Sequence, residues 1–475
     1  MNTQSWMMFA PELGVLATLL LHFFFDLFDT INPKRFIRSL TIGLLFVLGI
    51  IFLMPAYSGE TIYGMFALNS FAILFKGIFT LATIGVLFMT GEFLEPLGKR
   101  ANDFCLILVT SLLGSYFLAS SNDLITLFIT IEWITISLYV LTTFLRNDSY
   151  SLEAGTKYLI IGAFSSALFL YGISFVYGAV GSLFFADVKQ YVAAGHSAFF
   201  IAGIFLILAG IGFKVGMFPF QLWVPDVYEG SPTPVTAFLS VASKTAGFVA
   251  LLKLFFLALG PQFMNWTVLF FILSLVTLTY GNLAALRQSN IKRLFAYSSL
   301  GHVGYLLMGI ATAGPSGVEA TVYYLIVYAC SNLAAFLVIV IANRELGSGE
   351  ITAYRGLAKK SPFLSGIFFI ALLSLAGIPP LGGFFAKFLI LNAVITEGYL
   401  WPALIGAVNV IIALYYYLSI VKEMYFKQPA SKDEIHLSQA ARIFLLCLTA
   451  GIILAGVVQE PILQLVRYGI SALFS

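Results

Sequence analysis

The feature that most constrains this chain is the recurrence, from one end to the other, of apolar runs about twenty residues long, separated by short polar or Gly/Pro-rich breaks. A helix of that length crosses the ~30 Å hydrocarbon core of a bilayer. It also satisfies its own backbone donors and acceptors there, which lipid cannot do. A mean hydropathy of +0.97 with only 10% charged residues agrees with a membrane protein. Spans are expected near 6–28, 36–54, 65–90, 104–119, 123–144, 153–178, 198–218, 233–258, 265–286, 290–311, 319–343, 362–397, 401–424 and 440–459, fourteen in all. The stretch 362–397 is too long for one straight helix and must be kinked, tilted or broken. The first eleven residues carry no Lys or Arg, so no cleavable leader is expected and the first span should remain.

Charge tests the count. Connections after odd-numbered spans carry seventeen of the twenty-five Lys and Arg residues, whereas connections after even-numbered spans and the two termini carry only Lys189 and Arg467. Basic residues collect on the cytoplasmic side, and a missed span would have scrambled this alternation. Both termini are therefore expected outside the cytoplasm. The net charge of +3 is too small for a nucleic-acid surface. Cys105, Cys330 and Cys447 include no CxxC and no nearby His, so metal and iron–sulfur ligands are lacking and any redox centre must belong to a partner.

Six lysines remain inside or at the ends of spans: Lys76, Lys157, Lys214, Lys244, Lys253 and Lys387. An intramembrane charge costs at least ~2.5–3.5 kcal/mol, so each is a functional candidate by default. Lys253, near a span end, is expected to snorkel to the headgroups. Lys157 can do the same, and Lys76 has no evident partner. Lys244 continues a line Thr236, Ser240, Lys244 at i, i+4 spacing, which should face the bundle interior. Glu132 is expected to be the one clearly mid-span carboxylate and the partner of Lys214. Asp26 and His22, one turn apart near the end of the first span, read as an interfacial cap.

Two spans are visibly interrupted, at Gly212-Phe-Lys214-Val-Gly216-Met-Phe-Pro219 and at Gly377-Ile-Pro379-Pro380-Leu-Gly382-Gly383, with Lys387 following. Broken backbone in a membrane needs protein or a water-filled cavity to satisfy it. The breaks fall in the seventh and twelfth spans, five apart, and five is odd, so a duplication of that length is inverted; paired interrupted helices in inverted halves mark a transport site. In this reading Glu132 matches His302, which shares a polar face with Ser298, Ser299 and Tyr305, and Lys214 matches Lys387. The expected fold class is an all-α polytopic membrane protein of about 14 transmembrane helices with two inverted five-helix repeats and two broken helices. Its parts are an N-terminal three-helix region, 1–103, repeats at 104–258 and 259–424, and a C-terminal helix and tail, 425–475.

The segments Val224-Pro225-Asp226-Val227-Tyr228-Glu229-Gly230-Ser231-Pro232-Thr233-Pro234-Val235, Ala242-Ser243-Lys244, Asn290-Ile291-Lys292-Arg293-Leu294 with Ser298-Ser299, and Ser374-Leu375-Ala376-Gly377-Ile378-Pro379 resemble the antiporter-like membrane subunits of proton-pumping NADH:quinone oxidoreductase, respiratory complex I. The resemblance is nearest to the subunit N type, because Lys387 stands where the M type has Glu and no lateral helix follows the core as in the L type. It implies proton transfer along Glu132, Lys214, Lys244, His302 and Lys387, supported by Lys157, Pro219, Pro379, Ser240 and Ser298. It makes Lys387 the terminal site, linked to Lys244 through His302, with Lys214 nearer the loading end. Lys76 departs from the subunit N pattern and takes no role from it. The resemblance further implies no cofactor in this chain, with NADH, FMN, iron–sulfur clusters and quinone in partner subunits, other membrane-arm subunits and the lipid bilayer as partners, no nucleic acid, and a bacterial inner membrane. A subunit of a multisubunit cation/proton antiporter is the alternative, since no residue names the ion, and a passive spacer is a third reading.

Overall fold

The computed structural model describes residues 6–28, 32–54, 60–260, 266–429, 435 and 437–474. Among these, thirteen helices are long and apolar enough to cross a membrane, and two shorter apolar helices, Pro362–Ala376 and Gly382–Thr396, stand in place of one more. Counting that broken pair as the twelfth span gives the fourteen expected. A fifteen-residue helix, Glu460–Phe474, follows the fourteenth and lies against the third, where Ser70 Oγ donates to the Gly469 carbonyl at 3.1 Å. A short hairpin, Glu60–Ile62 with Phe66–Leu68, precedes the third span.

Burial sorts the spans. The eighth, Thr233–Ala258, is buried throughout, and the tenth and eleventh, Ile291–Ala311 and Pro315–Leu346, nearly so. The first, second, sixth, thirteenth and fourteenth turn most of their side chains outward, toward what would be lipid. The polar residues singled out above sit mainly on the buried set. The eighth span is also not a regular α-helix, because Leu239–Ser243 and Lys253–Ala258 form wide π-turns beside Lys244 and at Lys253. Such turns occur frequently at functional sites.

One construction occurs twice, five spans apart. Asp123 caps the fifth span by accepting from the Ile125 and Thr126 amides, and Asn290 caps the tenth by accepting from Lys292 and Arg293. Next to each cap the chain bridges to the end of the following span, through Leu124 N to Leu183 O at 3.0 Å and Ile291 N to Gly349 O at 2.8 Å. The sixth and eleventh spans, Ser149–Val180 and Pro315–Leu346, are both 32 residues long and end on left-handed glycines, Gly181 and Gly347. Ser197 then caps the seventh span, Ala198–Val215, and Ser361 caps Pro362–Ala376.

The two breaks repeat it again. Gly216 at φ 75° and Gly377 at φ 90° end the two half-helices in a conformation only glycine adopts without cost. In both, the glycine amide and the next amide fold back onto the last turn, Met217 N to Gly212 O and Ile378 N to Leu373 O, each at 3.0 Å. The Phe218–Pro219 and Pro379–Pro380 bonds that follow are both cis. Orphan carbonyls at each helix end are thereby met by the chain's own amides, as the membrane requires.

Candidate functional site

The seventh span ends at its break with Lys214 in the last turn. Its ammonium donates to Thr135 Oγ1 and lies 3.7 Å from Glu132 Oε1, both on the fifth span. Glu132 also accepts from Ser166 Oγ at 2.7 Å. Lys387 reaches the equivalent place from the other side of its break: its ammonium donates to the Leu375 and Ala376 carbonyls at 2.8 and 2.9 Å. Both cations thus stand at the carbonyl end of an interrupted half-helix, where the aligned peptide dipoles favour positive charge.

This geometry refines the sequence correspondence. Counted from the glycine of each break, Lys214 precedes Gly216 and Lys387 follows Gly377 by ten positions, so the lysines coincide in space relative to the break but not in register. Counted from the caps Asp123 and Asn290, Glu132 corresponds to Ser299 and Thr135 to His302, one helical turn from the pairing read off the sequence.

From Lys387 the polar groups run on without a long gap. Its ammonium lies 5.2 Å from the Tyr305 ring centre. Tyr305 stacks on Tyr324 at 6.2 Å, and the Tyr324 hydroxyl meets His302 Nδ1 at 2.7 Å. His302 Nε2 meets the Tyr417 hydroxyl at 3.2 Å, which also bonds Ser298 at 2.9 Å. Tyr328 packs against the imidazole at 4.9 Å and bonds Ser240 at 2.8 Å. Lys244, one turn along the eighth span, donates to Ser299 Oγ at 2.6 Å. Tyr158 of the sixth span lies near Glu132 and near Ser243 of the eighth, with Tyr139 against it at 5.0 Å. All five row residues except Glu132 are buried, and the Glu132 side chain is 19% exposed.

Several expectations change. The i, i+4 stripe divides at the wide turn: Thr236 bonds the Tyr228 carbonyl, Ser240 faces the eleventh span and Lys244 the tenth. Lys253 does not snorkel. It is buried, with its ammonium on the Ser121 carbonyl, because the end of the fourth span closes over it. Lys76, which had no evident partner in the sequence, pairs at 2.6 Å with Glu12, a carboxylate at the start of the first span that is 2% exposed. His22 bonds Ser39 and the Thr18 carbonyl and so ties the first span to the second, while Asp26 accepts from Asn102. Pro219 and Pro379 lie in the breaks as expected.

Lys157 belongs to a separate network at one end of the bundle. It is half-exposed and bonds Asp226 and Glu153 at 2.7 and 2.8 Å, and Arg293 bonds Asp226 and Glu229, both at 2.9 Å. Asp226 lies in Trp223–Gly230, the connection between the seventh and eighth spans. Partial burial works against its charge, but the Lys157 and Arg293 hydrogen bonds outweigh that and hold its carboxyl below the usual aspartate range. Among the described residues no cluster of His, Cys, Asp and Glu is built to hold a metal ion.

The family model described as NADH:quinone oxidoreductase/Mrp antiporter, TM matches residues 121–413, which hold every residue of the row. NADH-quinone oxidoreductase subunit N of Moorella thermoacetica is 42% identical over 390 residues, 82% of each chain. Among solved structures, a chain of respiratory complex I from Thermus thermophilus with bound aureothin superposes with a TM-score of 0.83 at 28% identity, covering 97% of this chain and 100% of that one. A chain of the Mrp complex from Dietzia sp. DQ12-45-1b superposes with a TM-score of 0.86 at 20% identity, covering 100% and 98%, and shows the shared fold.

Proposed function

The chain belongs to the family of NADH:quinone oxidoreductase and Mrp antiporter membrane subunits, and from that membership we propose that it is the subunit N type of membrane-arm subunit in a proton-pumping NADH:quinone oxidoreductase. The observation that carries this reading is the Glu132–Lys214 pair beside one break, with Lys244 on Ser299 between the breaks and Ser240, Tyr328 and His302 leading on toward Lys387 beside the other. Glu132, Lys214, Lys244, His302 and Lys387 move the protons, while Lys157, Ser240, Ser298, Pro219 and Pro379 shape the path. The subunit contributes translocation to the enzyme and no redox step. NADH, FMN, iron–sulfur clusters and quinone belong to partner subunits, among them the other membrane-arm subunits. The chain spans a bacterial inner membrane with both termini extracytoplasmic, as two inverted repeats, 104–258 and 259–424, flanked by 1–103 and 425–475.

Magnitudes place limits on the mechanism. At an effective dielectric of ~20, a pair at 3.7 Å attracts by ~4.5 kcal/mol and one at ~8 Å by ~2 kcal/mol. Opening the Glu132–Lys214 pair therefore changes the free energy of holding a proton on Lys214 by ~2.5 kcal/mol. A membrane potential of ~200 mV opposes each charge with ~4.6 kcal/mol. One pair cannot drive the pump, so several coupled sites share the load and quinone reduction in a neighbouring subunit supplies it.

The test is proton pumping per NADH oxidised after Lys214→Ala in the assembled complex. A fall with the complex intact is expected, and unchanged pumping would leave the row a structural spacer. The shared fold with the Mrp chain favours one other reading, a cation/proton antiporter subunit. Co-purification with flavin- and iron–sulfur-containing subunits separates the two.

A further inference from the structure

A second group of buried charges lies outside the row. Glu12, in the first turn of the first span, pairs with Lys76 of the third at 2.6 Å, and the two side chains are 3% and 0% exposed. The ammonium of Lys76 otherwise faces rings, Phe66 at 5.1 Å and Tyr116 at 6.0 Å, and the Tyr116 hydroxyl is held by Thr80. Lys253 lies in the same region, close enough for its charge and that of Lys76 to interact. Its ammonium bonds the Ser121 carbonyl and faces the Phe71 ring at 5.9 Å. Asp123 is also near, with one carboxylate oxygen occupied as the cap of the fifth span. All these groups are at the end of the bundle where odd-numbered spans begin and even-numbered spans end. The hairpin covers that end: Phe66 bridges to Ser121, and its turn is strapped by Asn122, which donates to the Gly64 carbonyl at 2.9 Å.

An apolar pair would hold the first and third spans together at least as well as an ion pair. Removing two charges from water costs several kcal/mol each, and well-packed hydrophobic replacements of buried pairs are often neutral or stabilising. A clamp therefore needs no charge here. The eighth span supplies an independent pointer, because it is wholly buried and carries a residue of each group at one of its two wide turns, Lys244 beside one and Lys253 at the other.

We propose that Glu12, Lys76 and Lys253 form a second proton-handling station of the same subunit, serving as a release branch under the hairpin; the inference rests on the proton-translocating reading above. Lys76 gives its proton to the Glu12 carboxylate, and the resulting acid releases it to the aqueous phase beyond the hairpin. The Lys76 amine then takes a proton from the Lys253 ammonium, which is refilled from the Lys244 end of the eighth span. One proton leaves per cycle and no electron moves.

The test uses the whole reconstituted complex, with the unaltered complex and Lys214→Ala as references. Glu12→Leu combined with Lys76→Met replaces the ion pair by an apolar one. We expect an assembled complex that oxidises NADH but has lost the share of protons this branch carries. Normal proton-to-NADH stoichiometry in that variant overturns the station, and if Lys214→Ala still abolishes its share, the main reading stands without it. Lys76→Arg is the second variant, since arginine keeps the ion pair but does not give up its proton. Reduced pumping in assembled Lys76→Arg supports the station, and normal pumping overturns it. Failure of both variants to assemble assigns the pair to a clamp and also overturns the proposal.

Discussion

Lys214 is positioned by two acceptors of different kinds, a carboxylate at 3.7 Å and the Thr135 hydroxyl to which it donates. A hydrogen bond to a charged group is worth about 1.5–3 kcal/mol net. Thr135→Val keeps the shape and removes the acceptor, so it should lower the pumping rate of the assembled complex, and Thr135→Ser should restore it; equal rates in the two variants would deny the hydroxyl a role. Glu132 and Lys214 were legible in the sequence because charges are scarce inside the spans and a buried charge needs a partner. Thr135 and the tyrosines at 305, 324, 328 and 417 were not, since hydroxyl-bearing residues are common here, with 23 tyrosines, and nothing in one sequence tells which turn inward. Glu12 was missed for another reason. So close to the start of a span, a carboxylate reads as an interfacial residue, and only the tertiary contact with Lys76 marks it as interior.

At the scale of elements, the breaks were legible because proline and glycine punctuate helices for covalent reasons. Their registers were not, because an interrupted helix loses the periodicity by which positions are counted. Gly377 carries a φ of 90°, and a Cβ there would lie 2.9 Å from Lys387 Cδ. Gly377→Ala should therefore cost about 1–3 kcal/mol of backbone strain and lower the thermal unfolding midpoint of the subunit, while Gly366→Ala, with nothing within 4 Å of its added methyl, should not. Equal midpoints would show that the break relaxes freely. The connection after the first break depends on Asp226, whose carboxyl is held below its ordinary value of 3.8 by Lys157 and Arg293. A depressed carboxyl binds protons more weakly in the folded chain than in the unfolded one. Its stabilisation is fully present above the ordinary value and is lost as pH falls through the depressed one. Stability measured against pH should then separate the native chain from Asp226→Asn at neutral pH and bring the two together in acid; a constant gap would remove the network's electrostatic role.

For the molecule as a whole, the buried eighth and tenth spans carry Lys244 and His302 at the middle of the polar row, and Glu132, Lys214 and Lys387 flank them on the fifth, seventh and broken twelfth. The count of fourteen spans was legible because hydropathy and basic-residue alternation are independent signals that agree. The wide turns of the eighth span left no trace in either signal, since a π-turn changes hydrogen bonding without changing residue type. The proposed function sends protons through the row with Lys387 as its terminal site. The direct measurement is the number of protons moved per NADH oxidised by the reconstituted complex carrying Lys387→Met. The assembled variant complex should still oxidise NADH through its peripheral partners, with a lowered proton-to-NADH ratio. An unchanged ratio in the assembled variant would contradict the terminal role of Lys387.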